Sequence, residues 1–198
     1  MAATSFTRSL ITTPSPKYDD FLVGNAAYNP SSFESIATAT PTSGSAVTFS
    51  SIPATYKHLQ LRISVKTPST ANPSLYITYN SDTGTNYTVH TLRGNGTAAS
   101  AAGATARNNF PLSWYYGMIA TYQNVAIMDI IDYASTSKYK TAKAIYGQDN
   151  NAGTTASNLE LNSGLWLSTA AISSITLTVS GGELYGSGTT IALYGIAG

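Results

Sequence analysis

Few residues in this chain have the chemistry of a catalytic or metal-binding group, and spacing decides each case. The histidines are His58 and His90, and there is no cysteine. Each histidine falls on the polar side of an alternating stretch, where a solvent-facing strand residue accounts for it better than a general base. Asp129 and Asp132 flank an apolar run and come nearest to the acid pair of a glycoside hydrolase. Their spacing along a strand sends them to opposite faces, so they do not converge on one substrate. Asp82-Thr83-Gly84-Thr85-Asn86 looks like a fragment of a calcium loop without its remaining ligands, and a turn explains it fully. Gly94-Asn95-Gly96 is not followed by a helix bearing lysine, so it is not a phosphate loop. No serine sits in a nucleophile-elbow pattern. Asn86-Tyr87-Thr88 and Asn95-Gly96-Thr97 match the glycosylation pattern, which means little without a secretory leader. Lys138, Lys140 and Lys143 form the one local basic cluster, a solvated face or a contact with an acidic neighbour. The expectation is therefore no catalytic residue, no cofactor and no metal.

Composition narrows the classes further. Only 10% of the residues are charged, against roughly 25% in ordinary soluble domains, and the deficit is filled by Ser, Thr, Asn and Gly. The net charge of +1 offers no footprint for nucleic acid or an anionic membrane, so neither is expected as a partner. A hydrophobic fraction of 42% still supports a core. Without cysteine there are no disulfides and no thiolate metal sites. No apolar run is long enough to span a bilayer, and the opening Met1-Ala2-Ala3-Thr4-Ser5-Phe6 has no apolar core of a signal peptide. Synthesis in the cytoplasm of a host is the expectation. The 14 tyrosines suit strands and contact surfaces alike.

The elements that must position these residues are strands. His58–Lys66 alternates cleanly, with Leu59, Leu61, Ile63 and Val65 on one side and His58, Gln60, Arg62 and Ser64 on the other. The last third carries two more such runs, Ile175, Leu177 and Val179 in the first and Ile191 and Leu193 in the second, around the glycine-rich stretch 181–188. These nine residues are the predicted core. Ile36–Thr40 and Ala46–Phe49 read as strands joined by a Pro41/Gly44 turn. Ser74–Tyr79 and Tyr87–Leu92 read as a hairpin around Ser81–Thr85. Val125–Tyr133 is nearly all apolar, as expected of a strand covered on both faces. Lys138–Tyr146 follows as a strand whose Lys138 and Lys140 point away from Tyr139, Thr141 and Ile145. Trp114-Tyr115-Tyr116 and Ile119–Tyr122 continue the pattern. Gly94–Asn109 has no readable period and is expected as a surface excursion or a helical turn over 98–106. About eight to ten strands at short intervals, with no convincing helix, predict an antiparallel sandwich, jelly roll or barrel.

Residues 1–34 differ from the rest. They carry Pro14, Pro16 and Pro30, the pair Asp19-Asp20, and scattered large residues without a period, among them Phe6, Leu10, Ile11, Tyr18, Phe21, Leu22 and Tyr28. A solvated tail has no use for so many apolar side chains. The expectation is an irregular arm, 1–34, that docks on partner subunits through those residues, followed by a domain over 35–198.

Several blocks together resemble a family of tailed-phage virion proteins. They are Phe33-Glu34-Ser35-Ile36-Ala37-Thr38, Val47-Thr48-Phe49-Ser50-Ser51-Ile52-Pro53, Thr55-Tyr56-Lys57-His58-Leu59-Gln60-Leu61-Arg62, Asn80-Ser81-Asp82-Thr83-Gly84 with Asn86-Tyr87, Gly94-Asn95-Gly96, Ser163-Gly164-Leu165-Trp166, Ala171-Ile172-Ser173-Ser174-Ile175-Thr176-Leu177 and Leu193-Tyr194-Gly195-Ile196. The resemblance covers about residues 33–198. It implies an all-β, antiparallel jelly-roll sandwich, used on virions in head decoration and in tail fibres, with no family catalytic residues. The expected function is then a non-enzymatic capsid decoration or cement protein located in the virion. Its partners would be other copies of itself and the major capsid protein or tail proteins. The alternative is a tail-fibre or tail-tip module that recognises a host surface glycan, with Trp114, Tyr115 and Tyr116 stacking on sugar rings and Lys138 and Lys140 as further surface contacts. A glycan depolymerase is a third class, without a credible carboxylate pair.

Overall fold

The computed structural model describes residues 33–115, 117–148 and 158–198. The arm residues Phe6, Leu10, Ile11, Tyr18, Phe21, Leu22 and Tyr28 lie outside the described residues, as does Tyr116. Among the described residues the chain forms twelve strands: β1 (Phe33–Ala39), β2 (Ala46–Phe49), β3 (His58–Val65), β4 (Leu75–Tyr79), β5 (Tyr87–Gly94), β6 (Ala99–Arg107), β7 (Phe110–Pro111), β8 (Asn124–Ile131), β9 (Lys140–Gln148), β10 (Asn158–Trp166), β11 (Ile175–Val179) and β12 (Thr190–Ile196). They make a large sheet of eight strands, β1-β12-β3-β8-β9-β10-β5-β6, and a small sheet of four, β2-β11-β4-β7. Every pairing is antiparallel. The fold is all-β, and no helix among the described residues is long and apolar enough to cross a membrane.

Period-two patterning builds the core. Leu59, Leu61, Ile63 and Val65 of β3, Ile191 and Leu193 of β12, and Ile175, Leu177 and Val179 of β11 are all buried, as predicted. Each such side chain withdrawn from water contributes on the order of 1.5–3 kcal/mol. The two closing strands do not pair with each other. β11 lies between β2 and β4 in the small sheet, β12 between β1 and β3 in the large one. The glycine-rich stretch between them carries the chain from sheet to sheet. Gly181, Gly182 and Gly188 take positive φ there (71°, 73° and 89°), which side-chain-bearing residues resist. Tyr185 in the same stretch is buried and donates its hydroxyl to the Leu177 carbonyl at 2.9 Å.

Other expectations fail for the same topological reason. β4 and β5 are not a hairpin but belong to opposite sheets, and so do β1 and β2. Alternation reports a half-buried strand and is blind to whether the next strand lies beside it or across the core. The β4–β5 crossover is held by Asp82, whose carboxylate accepts the Gly84 N–H at 2.8 Å, Asn86 Nδ2 at 2.9 Å and Trp166 Nε1 at 2.7 Å. The stretch 94–109 is neither helical nor structureless. It turns at Asn95, whose Oδ1 accepts the Ala98 N–H at 2.8 Å, and returns as β6 along β5. β6 is an edge strand of Ala, Ser, Thr and Gly up to its last residue, Arg107, so it has no large apolar face to announce it. The stretches at Trp114–Tyr115 and Ile119–Tyr122 are connection, not strand. Both edge pairings are irregular. The β1–β12 register shifts between Ser35 and Ala37, and the β5–β6 register between Tyr87 and Val89.

Candidate interaction surface

The inner faces of β9 and β10 carry polar residues where a core strand would carry aliphatics. β9 buries Lys140 and Gln148, and β10 buries Glu160 and Asn162. Lys140 was expected at the surface with Lys138; it is fully buried instead. Its Nζ donates to the carbonyls of Lys138 at 2.9 Å and Thr169 at 3.2 Å. Burial, and then the charge of Lys138, pushes its pKa down. Lys138 and Lys143 stay exposed, Lys138 paired with Asp132 and Lys143 with Asp129.

The reason for this polar interior is what lies under it. Residues 112–115 and 117–123, between β7 and β8, place main chain against these strands, and main chain without a ladder must find other partners when buried. Glu160 accepts the Trp114 N–H at 2.9 Å and the Tyr115 N–H at 3.0 Å. Asn162 Nδ2 donates to the Leu112 carbonyl at 3.0 Å. The Tyr146 hydroxyl donates to the Gly117 carbonyl at 3.0 Å, with its pKa driven up by burial and by the nearby Glu160. Asn124 accepts the Ile119 N–H at 2.9 Å and donates to the Tyr122 carbonyl at 3.0 Å.

The alternate residues turn out, and towards one end of these strands, at Ile145, Leu159 and Leu161, they are apolar. Register places Ile127 of β8, Ile145 of β9, Leu161 of β10 and Leu92 of β5 side by side in one row. Val125, Gly147 and Leu159 form the next row. Ile145 is 56% exposed, Leu159 55% and Ile127 51%. β8 was expected to be covered on both faces; among the described residues its outer face is open. A bordering polar row holds Gln60, Asp129 and Lys143, with Gln60 Nε2 donating to Asp129 at 2.8 Å and Lys143 Nζ 3.6 Å from it. Between Tyr194 and Ala192 on one side and Leu159 and Leu161 on the other, the surface is hollowed into a groove of about 1050 Å³. Side chains in adjacent strands stand about 5 Å apart, so these residues form one continuous apolar patch of the kind monomers rarely leave bare. At its rim Phe33 stacks on Tyr194, ring centres 4.6 Å apart, with the Arg62 guanidinium 5.0 and 5.6 Å from the two rings.

Among the residues singled out for chemistry, His58 and Asp132 meet. His58 Nδ1 accepts the Asp132 N–H at 3.0 Å. His90 packs so closely on β6 that a Cβ at Gly103 would come within 2.7 Å of it. Asp129 stays on the outer face, while Asp132 lies beyond the end of β8 between Lys57 and Lys138, which hold its carboxyl below the usual range. For Asp82, burial raises the pKa, but the donors Trp166, Asn86 and Gly84 outweigh it and the net shift is downward. No three of His, Cys, Asp and Glu stand together as a metal site among the described residues. Trp114 and Tyr115 pack on each other at 5.2 Å, and each ring also meets a guanidinium, Arg107 at 5.0 Å from Trp114 and Arg93 at 3.4 Å from Tyr115. The sequence did hold a signal for the apolar face: Ile145, Leu159 and Leu161 share a parity opposite to Lys140, Glu160 and Asn162. Taking polar as outward reversed it. The chain matches no family model, no curated protein and no solved structure.

Proposed function

We propose that this chain is a non-enzymatic structural protein of a tailed-phage virion, a decoration or cement protein of the head, attached through its N-terminal arm and by association with copies of itself. The observation that carries this reading is the open apolar face of the large sheet, a surface suited to assembly rather than to turnover. The near-neutral net charge favours it too, since many copies can crowd on one particle without self-repulsion. Among the described residues weighed for catalysis, Asp129 accepts from Gln60, Asp132 is held by Lys57 and Lys138, and His58 accepts the Asp132 N–H.

The domain reading is a jelly roll, with strand order as its support. Strands β1-β12-β3-β8 follow one another in the large sheet and β2-β11-β4-β7 in the small one, and the chain switches sheets at each of its first four connections. Two Greek keys wound into opposed four-stranded sheets have that order. On this reading the hairpins β5–β6 and β9–β10 are insertions that widen one sheet beyond β8, and the apolar patch lies on the widened part.

Quantifying the protein against the major capsid protein on a stained gel of purified particles tests the role. Hundreds of copies per particle are expected; a few or a few tens would overturn the cement reading. A tail module that binds glycan is the second reading, favoured by the exposed ring of Tyr115. Glycan-array binding that disappears in Tyr115→Ala would support it. The guanidinium over that ring argues the other way, because it occupies a face that a sugar would need.

A further inference from the structure

We propose that the turn between β5 and β6 is a site of covalent modification, at which Asn95 cyclises onto Gly96 and is converted to aspartate and isoaspartate. Gly94-Asn95-Gly96 is no phosphate loop, yet Asn95 is the one asparagine of the chain that is followed by glycine. Glycine leaves its own nitrogen unscreened by a side chain, and Gly96 is exposed at a φ of 84°. The turn also prepares the Asn95 amide for attack. Its Oδ1 accepts three donors, the Ala98 N–H at 2.8 Å, the Thr97 hydroxyl at 2.9 Å and the Thr97 N–H at 3.1 Å. Donors converging at about 2.7–3.1 Å on one carbonyl oxygen are the equipment of an oxyanion hole, which stabilises negative charge as it develops. The Asn95 N–H is given to the Ala98 carbonyl at 3.2 Å. The hydrogen bonds of the turn thus take the N–H groups of Asn95, Thr97 and Ala98 and leave out that of Gly96, the nucleophile.

The Gly96 nitrogen gives its proton to hydroxide and bonds to Asn95 Cγ, and the charge passes to Oδ1 within its three donors. The Cγ–Nδ2 bond then breaks, and Nδ2 leaves as ammonia with a proton from water. A second water opens the resulting cyclic imide at either carbonyl, to aspartate or to isoaspartate. In sum one water is consumed and one ammonia released, with no change of oxidation state. Either product sets a carboxylate where a neutral amide stood, and the one added negative charge takes the formal net charge from +1 to 0. Isoaspartate also lengthens the main chain by one carbon between β5 and β6, which moves the side-chain oxygens away from Thr97 and Ala98. β6 pairs with β5 alone, at the margin of the large sheet, so it is the strand that this change loosens. The site is independent of the virion role proposed above.

The test holds the folded full-length protein at mildly alkaline pH and follows it by tryptic digestion and mass spectrometry. Cleavage after Arg93 and Arg107 releases 94–107, in which Asn95 is the one asparagine. The mass gain of an amide-to-acid exchange is expected in that peptide, divided between two chromatographic peaks, one of them a substrate for isoaspartyl methyltransferase. Thr97→Val removes the hydroxyl donor and keeps both N–H donors, and it is expected to slow the conversion several-fold. Thr97→Ser restores the hydroxyl and is expected to convert at the wild-type rate. No conversion in the folded wild type overturns the proposal, and so does a Thr97→Val rate equal to or above that of the wild type.

Discussion

The two halves of the large sheet obey opposite rules. In β12 and β3, aliphatic side chains point to the core and His58, Gln60, Arg62 and Ser64 point out. In β9 and β10, Lys140, Gln148, Glu160 and Asn162 point in, and Ile145, Leu159 and Leu161 point out. The difference follows from what each half faces. β3 and β12 look across at side chains of the small sheet, which hydrogen-bond within their own ladders and ask only for apolar contact. Glu160 and Asn162 of β10 and Tyr146 of β9 meet a connecting segment whose peptide groups need partners, and Lys140 meets the carbonyls of Lys138 and Thr169. A strand's polarity thus reports the hydrogen-bonding state of its neighbour as well as its distance from water.

That contrast can be broken experimentally. The largest effect is expected on the ordinary half, where Leu61→Ala removes buried methyls and should cost about 3 kcal/mol in denaturant unfolding. Glu160→Ala should cost about 2–3 kcal/mol, because the N–H groups of Trp114 and Tyr115 lose their acceptor without water to replace it. If Glu160→Ala proves neutral, the explanation of the polar interior fails. Asp82→Asn, which weakens the tie between the β4–β5 crossover and Trp166 at the end of β10, should cost about 1–2 kcal/mol at neutral pH. The sign of its pH dependence follows from a folded pKa below the unfolded one: the stabilisation is complete above the unfolded value of 3.8 and is lost as pH falls through the folded value. Acid titration should therefore destabilise the wild type more steeply than the variant. The smallest effect is expected on the outer row, where Ile145→Thr with Leu161→Thr should leave unfolding stability within about 1 kcal/mol, since Thr keeps β propensity. A loss of several kcal/mol there would mean that the outer face belongs to the core of the free protein.

These same halves mark what was legible beforehand. The nine aliphatic positions of β3, β11 and β12 could be read because one face of each strand is simply buried. The placement of Lys140 could not, because its partners, the carbonyls of Lys138 and Thr169, leave no trace in side-chain pattern. β6 was invisible because a strand of alanine and threonine on a sheet edge has nothing to alternate. Sheet assignment was hidden as well, since the turn at Asp82 does equally well for a hairpin and for a crossover. Nor was the contact of His58 with Asp132 legible, since the two lie 74 positions apart in the chain.

The irregular registers at the two margins of the large sheet bear on how far an assembly can grow. An exposed, regular edge offers a ladder of unpaired N–H and C=O groups on which another chain can continue the sheet, and repeating that step gives a fibre without end. Here the ladder is interrupted at both margins, by the shift at Ser35–Ala37 on one side and the shift at Tyr87–Val89 on the other. Edge-to-edge polymerisation is thereby disfavoured at these two margins.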